Sequence, residues 1–273
     1  MNILFCGNDR IADGILISVT SIVKYTDKKL NIYILTAGNT LSSEFSEFLE
    51  KTVRAKNDSS RVMLFDISDM FSENLPLANM NTRFTPYCML RLFADKVNEL
   101  PDRLLYLDND VVFCGDISAL YDTDMGGAEI AGVLDYYGSH FFRKSILKRD
   151  YLNSGVLLLD LKKIRQSGLF EKCRQMCKEK KMFMPDQSAL NKLAEKKILP
   201  RRFNEQRKDK DDTLVRHFTT TFRFWPYIHT VTVKPWDVAG LHSKLKTNEY
   251  DEVINDYLKL KENYSLGETQ NAE

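Results

Sequence analysis

Arg103-Leu104-Leu105-Tyr106-Leu107-Asp108-Asn109-Asp110-Val111-Val112-Phe113 is an apolar run broken by two carboxylates. Its first part reads as a buried strand, and the acidic interruption marks where that strand leaves the core. Upstream, Ile3-Leu4-Phe5 precedes Ile15, Val19, Ile22 and Val23 at helical spacing. Asn31-Ile32-Tyr33-Ile34-Leu35 reads as a second strand, Ser42 to about Val53 as a serine-capped helix, and Val62-Met63-Leu64-Phe65 as a third strand. The order βαβαβ predicts a parallel sheet with 103–107 as its fourth strand. Such sheets bind ligands beyond the carboxyl ends of their strands, so the acidic pair stands where chemistry is expected.

Downstream, Ile130 to Leu134, ending in Asp135, and Ser154 to Leu159 read as further buried strands. Helices are expected near Lys162 to Glu179 and Asp186 to Lys196, and a strand from Thr213 to Phe218. The charge-rich stretch after Lys244 reads as a terminal helix and a loose end. The expected fold class is α/β: a Rossmann-like, mostly parallel sheet flanked by helices. Residues 1–243 form its domain, and 244–273 a small C-terminal helical extension.

At 43% hydrophobic and 28% charged residues, the 273-residue chain can bury a full core, which excludes a disordered or low-complexity protein. Thirty-nine basic residues against 38 acidic ones leave a charge of +1, so no chain-wide field draws in nucleic acid. In the tail, Asp256 and Glu262 dilute Lys259 and Lys261, leaving at most peripheral membrane contact. The opening MNILFCGNDR is too short in apolar residues for a signal-peptide core, and a cytoplasmic location is expected. Five cysteines show no metal-type pairing, and Cys173 and Cys177 read as reduced thiols on a helix. Neither Gly-x-Gly-x-x-Gly nor Gly-x-x-x-x-Gly-Lys-Ser/Thr occurs, so a bound nucleotide would have its phosphates neutralised by metal and side chains.

Side chains two apart on a strand share a face, which puts Asp108 and Asp110 together with α-carbons roughly 6–7 Å apart. Two close carboxylates repel unless a cation or a proton lies between them. Oxygen ligands favour magnesium or manganese, and an added imidazole favours manganese.

Several motifs in order resemble family 8 of the retaining glycosyltransferases, including its bacterial galactosyl- and glucosyltransferases. They are Arg91 in Leu90-Arg91-Leu92-Phe93-Ala94-Asp95, the Asp-x-Asp of Tyr106 to Asp110, Leu152-Asn153-Ser154-Gly155 running into Leu161, Asp186-Gln187-Ser188, Arg202-Phe203-Asn204, His217-Phe218-Thr219 and Lys234-Pro235-Trp236. The resemblance implies a GT-A fold, a UDP-sugar donor, a Mn2+ or Mg2+ cofactor, and transfer of galactose or glucose to a glycan or glycolipid acceptor. Asp108 and Asp110 would hold the metal. His217 resembles the third ligand, with His229, nearer Lys234, as the alternative.

The resemblance further implies donor binding by Asn8, Asp9, Arg91, Asp108, Asn109, Asp135, Asn153, Ser154, Gly155, Lys234 and Trp236. Lys234 would neutralise phosphate charge and Trp236 wall the pocket. Ile11 offers no aromatic stack to a base, so Asn8 and Asp9 are expected to contact base or ribose. Gln187 resembles the residue beside the anomeric carbon. Asp186 is the only carboxylate near it able to act covalently, although a helix N-cap role also explains it. Two other readings remain at this point: a haloacid-dehalogenase-type phosphohydrolase using Asp108, and a nucleotide-sugar-binding protein without transfer activity. Acceptor contacts are expected around Tyr136 to Tyr151 and in the aromatic stretch Phe222 to Ile228; His140 and His242 carry no motif.

Overall fold

The computed structural model describes the chain except residues 81, 83, 84, 139–149, 224, 226, 228, 272 and 273. His140, most of the stretch from Tyr136 to Tyr151, and part of Phe222 to Ile228 therefore lie outside the described residues. Strands β1 (Asn2–Gly7), β2 (Asn31–Thr36), β3 (Arg61–Asp66), β4 (Arg103–Leu107), β6 (Ile130–Leu134), β7 (Leu152–Asp160) and β8 (Lys196–Ile198) form one seven-stranded sheet. Its order is β3-β2-β1-β4-β7-β6-β8. The four strands from β3 to β4 are parallel, as the βαβαβ pattern predicts, and so are β6 and β8. β7 runs antiparallel to both β4 and β6. Its apolar run looks the same in either direction, so composition does not reveal the reversal.

Alternation along the strands feeds two cores. Ile3, Phe5, Leu105 and Leu107 face one, and Leu4, Leu104 and Tyr106 the other. The helix Ala12–Tyr25 is buried along most of its length, so its polar side chains must be satisfied internally. Ser18 donates to the Val111 carbonyl at 2.6 Å, and Ser21 accepts from the Phe113 N–H at 3.0 Å. These contacts clip β5 (Val111–Phe113), the strand just past the acidic pair, onto that helix.

Three sequence expectations need adjustment. Gly168, at φ 66°, breaks the predicted helix 162–179 into Leu161–Ser167 and Leu169–Glu179, because only glycine takes that conformation cheaply. The next helix runs Pro185–Leu193, and Lys196 already belongs to β8. The strand expected from Thr213 to Phe218 is the short β9 (Val215–His217).

After β9 the chain makes a small antiparallel hairpin, β10 (Thr221–Arg223) with β11 (His229–Val231), whose base is closed by the Thr220 and Thr232 hydroxyls at 2.9 Å. Trp225 is 86% exposed and Tyr227 68%, so these two aromatic side chains are no part of the core. The helix Asp251–Asn271 packs Val253, Ile254 and Tyr257 inward, and the Tyr257 hydroxyl donates to Asp13 at 2.7 Å. Among the described residues no helix is long and apolar enough to cross a membrane.

Candidate active site

Two strand pairings assemble the site. β4 and β7 pair with Leu107 opposite Val156, and the Asp108 N–H donates to the Gly155 carbonyl at 2.7 Å, which sets Gly155 against Asp108. β5 and β9 pair with Val111 opposite His217, and the Phe218 N–H donates to the Asp110 carbonyl at 2.9 Å. One carboxylate is thus delivered to the start of β7 and the other to the end of β9. The same pairing separates the two candidate histidines: His217 stands in the cluster with Asp108 and Asp110, and its rival His229 lies on the hairpin, its Nδ1 donating to the Tyr227 carbonyl at 2.9 Å.

Each of the three side chains has one atom engaged by the surrounding protein and another turned toward the other two. Asp108 Oδ1 accepts from Arg91 Nη2 at 2.9 Å and from the Tyr106 hydroxyl at 2.6 Å, which leaves Oδ2. Asp110 Oδ2 accepts from Lys234 Nζ at 2.6 Å, and the buried Oδ1 has no hydrogen-bond partner. His217 contacts Asn204 through Nδ1, and its Nε2 stands 3.0 Å from Asp110 Oδ1 and 3.7 Å from Asp108 Oδ2. The candidate ligand atoms lie within 4.8 Å of one another. Two carboxylate oxygens and an imidazole nitrogen in that space are a donor set for a divalent cation of the manganese or magnesium type. Gly155 leaves the room: a Cβ there would stand 2.0 Å from His217 Cε1 and 2.7 Å from Asp108 Oδ2.

Burial alone would raise the Asp110 carboxyl, but its close neighbours His217 and Lys234, at 3.0 and 2.6 Å, outweigh it and hold the group well below its usual value. Asp186 goes the other way. Its burial raises it, Asp108 adds to the rise, and the Arg91 guanidinium opposes it. Arg91 is itself buried and serves four neighbours: Asp108, the Cys88 and Ser154 carbonyls, and Asp186 at 3.3 Å. Its guanidinium also stacks 4.1 Å over the Tyr106 ring. It lies on the 3-10 helix Pro86–Lys96.

Asp186 is not the N-cap of its helix, a position held by Met184; its carboxylate faces Arg91 instead. Gln187 Oε1 accepts from the Ser154 N–H at 2.9 Å, and Nε2 donates to Asp135 Oδ2 at 3.2 Å. Asp135 also accepts from Asn153 Nδ2 and from the Tyr137 and Gly138 N–H groups, so its carboxylate is saturated within the protein. Asn153, Ser154 and Gly155 lie inside β7. Asn109 packs against Gly14, where a Cβ would meet the Asn109 carbonyl at 2.2 Å. Asn8 caps the short turn Asp9–Ile11, Asp9 is exposed, and Trp236 is half-buried against the core.

Two members of the cluster carry no role in the sequence reading. Tyr106 shares a strand face with Asp108, a signal that periodicity supplies. Asn204 is fully buried and joins Asn153 to His217, a link between distant segments that spacing does not reveal. Cys173 and Cys177 are buried free thiols, and burial pushes Cys177 up to about 12, which keeps it neutral.

Residues 2–239 match the model of glycosyl transferase family 8, and the chain belongs to that family. It is 31% identical over 262 residues to a lipopolysaccharide 1,2-glucosyltransferase of Escherichia coli (strain K12), covering 90% of this chain and 75% of that one. A putative glycosyltransferase of Haemophilus influenzae is 24% identical over 246 residues, with 82% and 73% covered. The solved galactosyltransferase LgtC, in complex with donor and acceptor sugar analogues, superposes with a TM-score of 0.69 at 20% identity, over 95% of this chain and 96% of its own. The fold is therefore GT-A, and the protein is a hexosyltransferase.

Proposed function

We propose that the protein transfers glucose or galactose from a UDP-sugar to a glycan or glycolipid acceptor, with retention at the anomeric carbon and dependence on Mn2+ or Mg2+. The observation that carries this reading is the convergence of Asp108 Oδ2, Asp110 Oδ1 and His217 Nε2, each turned toward the other two while its partner atom is engaged, with Asp110 Oδ1 buried and unpartnered. Asp108, Asp110 and His217 would hold a divalent cation there, and the ion would supply positive charge against the departing diphosphate. Lys234, 2.6 Å from Asp110 Oδ2, would turn the rest of its ammonium toward the same diphosphate. Asn8 and Asp9, at the carboxyl end of β1, meet the base and ribose, and Trp236 walls the pocket. Arg91, Asn109, Asp135, Asn153, Ser154 and Gly155 shape the floor on which the sugar lies.

Retention proceeds on the front face, the leaving phosphate accepting the acceptor's proton. Gln187 is a neutral amide and a poor nucleophile, and the Asp186 carboxylate is paired with Arg91. A glycosyl adduct trapped on Asp186 would overturn that route. The alternative of an aspartyl phosphatase is disfavoured by the family match, which spans residues 2–239. Residues 1–243 carry the transfer and 244–273 an appended helix; the work is done in the cytoplasm with at most peripheral contact at the inner membrane face.

The test is incubation with Mn2+, a panel of UDP-sugars and candidate glycan acceptors, alongside calorimetric titration of UDP with and without the ion. Transfer to an acceptor, and UDP affinity that falls without metal, are expected. Binding without transfer would leave a donor-binding protein, and phosphate release from a monoester would revive the phosphatase.

A further inference from the structure

The amide of Asn204 lies fully buried between Asn153 and His217, and its orientation follows from its neighbours outward. The Gly155 N–H donates to Asn153 Oδ1 at 3.0 Å, and Asn153 Nδ2 donates to Asp135 Oδ2 at 3.0 Å, so the Asn153 amide is fixed from both ends. Asn204 Nδ2 then donates to the same Asn153 Oδ1 at 3.0 Å, which turns Asn204 Oδ1 toward His217 Nδ1 at 3.2 Å. A carbonyl oxygen only accepts, so Nδ1 carries a proton. Across the ring, Nε2 faces the free oxygens of Asp110 and Asp108.

We infer that Asn204 is a positioning residue that holds His217 with Nδ1 protonated, so that Nε2 presents its lone pair to a divalent cation shared with Asp108 and Asp110. The inference rests on the metal-dependent reading proposed above. Without an acceptor at Nδ1 the opposite tautomer becomes available, in which Nε2–H donates to Asp110 and no lone pair faces the cation. The consequence falls on metal choice. Mg2+ takes oxygen ligands and keeps its waters, whereas Mn2+ accepts imidazole readily, so a mis-set His217 penalises Mn2+ more than Mg2+.

Calorimetric titration of Mn2+ and of Mg2+ in the presence of UDP tests this. Asn204→Leu, similar in shape and lacking the acceptor, is expected to weaken Mn2+ binding about 10-fold and leave Mg2+ binding nearly unchanged. His217→Ala should lose the Mn2+ preference too, and adding Asn204→Leu to it should cost nothing further. An equal fall for both metals, or an effect of Asn204→Leu that persists beside His217→Ala, overturns the positioning role while the metal-dependent reading stands. A measurement on the unaltered protein covers the case in which Asn204→Leu does not fold. With Cd2+ and UDP bound, nitrogen NMR should show His217 Nε2 coupled to cadmium and Nδ1 carrying the proton; cadmium on Nδ1 overturns the inference. Unaltered protein that takes up neither Mn2+ nor Mg2+ removes the metal-dependent reading and the role of Asn204 with it.

Discussion

Gly155 lies so close to His217 that a methyl group on its α-carbon would stand 2.0 Å from the imidazole Cε1. No contact of that kind survives in a folded protein, so Gly155→Ala must push His217 or Asp108 out of place. We expect at least about a 10-fold loss of metal affinity, the scale of disturbing the groups that orient a ligand, with thermal stability much less affected. Calorimetry of Mn2+ with UDP and a melting curve on the same sample check this; unchanged affinity would mean that the ring yields freely.

Asp110→Asn removes the charge while keeping the shape of the side chain. Metal-dependent turnover should fall by about 10²–10³-fold, the scale of losing one preorganised electrostatic contact. Steady-state rates across a Mn2+ series would read it, and a variant with full activity would contradict the assignment of Asp110 as a ligand.

The same residue sets an acid limit on stability. The Asp110 carboxyl is held below its usual value, so its contribution is complete above the unfolded-state value of about 3.9 and is lost as pH falls below it. Asp186, raised by burial, acts with the opposite sign and gains as pH falls. In metal-free protein, Asp110→Asn should therefore flatten the decline of the urea midpoint on acidification below about pH 4. A slope as steep as that of the unaltered protein would assign the acid sensitivity elsewhere.

Arg91 binds together Asp108, Asp186 and the Cys88 and Ser154 carbonyls from a buried position. Arg91→Leu leaves Asp186 without its counter-charge and should cost about 3–5 kcal/mol, as breaking buried pairs does. Denaturant unfolding measures it. Adding Asp186→Asn should recover part of the loss, since an uncharged amide needs no counter-ion.

The sequence made much of this legible, for local reasons. The strand of 103–107 and the shared face of Asp108 and Asp110 follow from a period of two, and the first parallel strands from their alternation with helices. The reversed direction of β7 did not follow, because an apolar run carries no sign of its polarity. Nor did the meeting of His217 with Asp108 and Asp110, which the pairing of His217 with Val111 brings about across more than a hundred residues. Asp186 looked adequate as a cap because it begins a helix after proline; its partner Arg91 is distant in sequence. Asn204 stood in a quoted motif, but what it does depends on Asn153 and His217 meeting in space.

The clasp of Thr220 and Thr232 closes the excursion between His217 and Lys234 at its root. The two groups that grip Asp110 thus stand on either side of a self-contained stem. Changes at the exposed Trp225 or Tyr227 are therefore insulated from both grips by the clasp at its root.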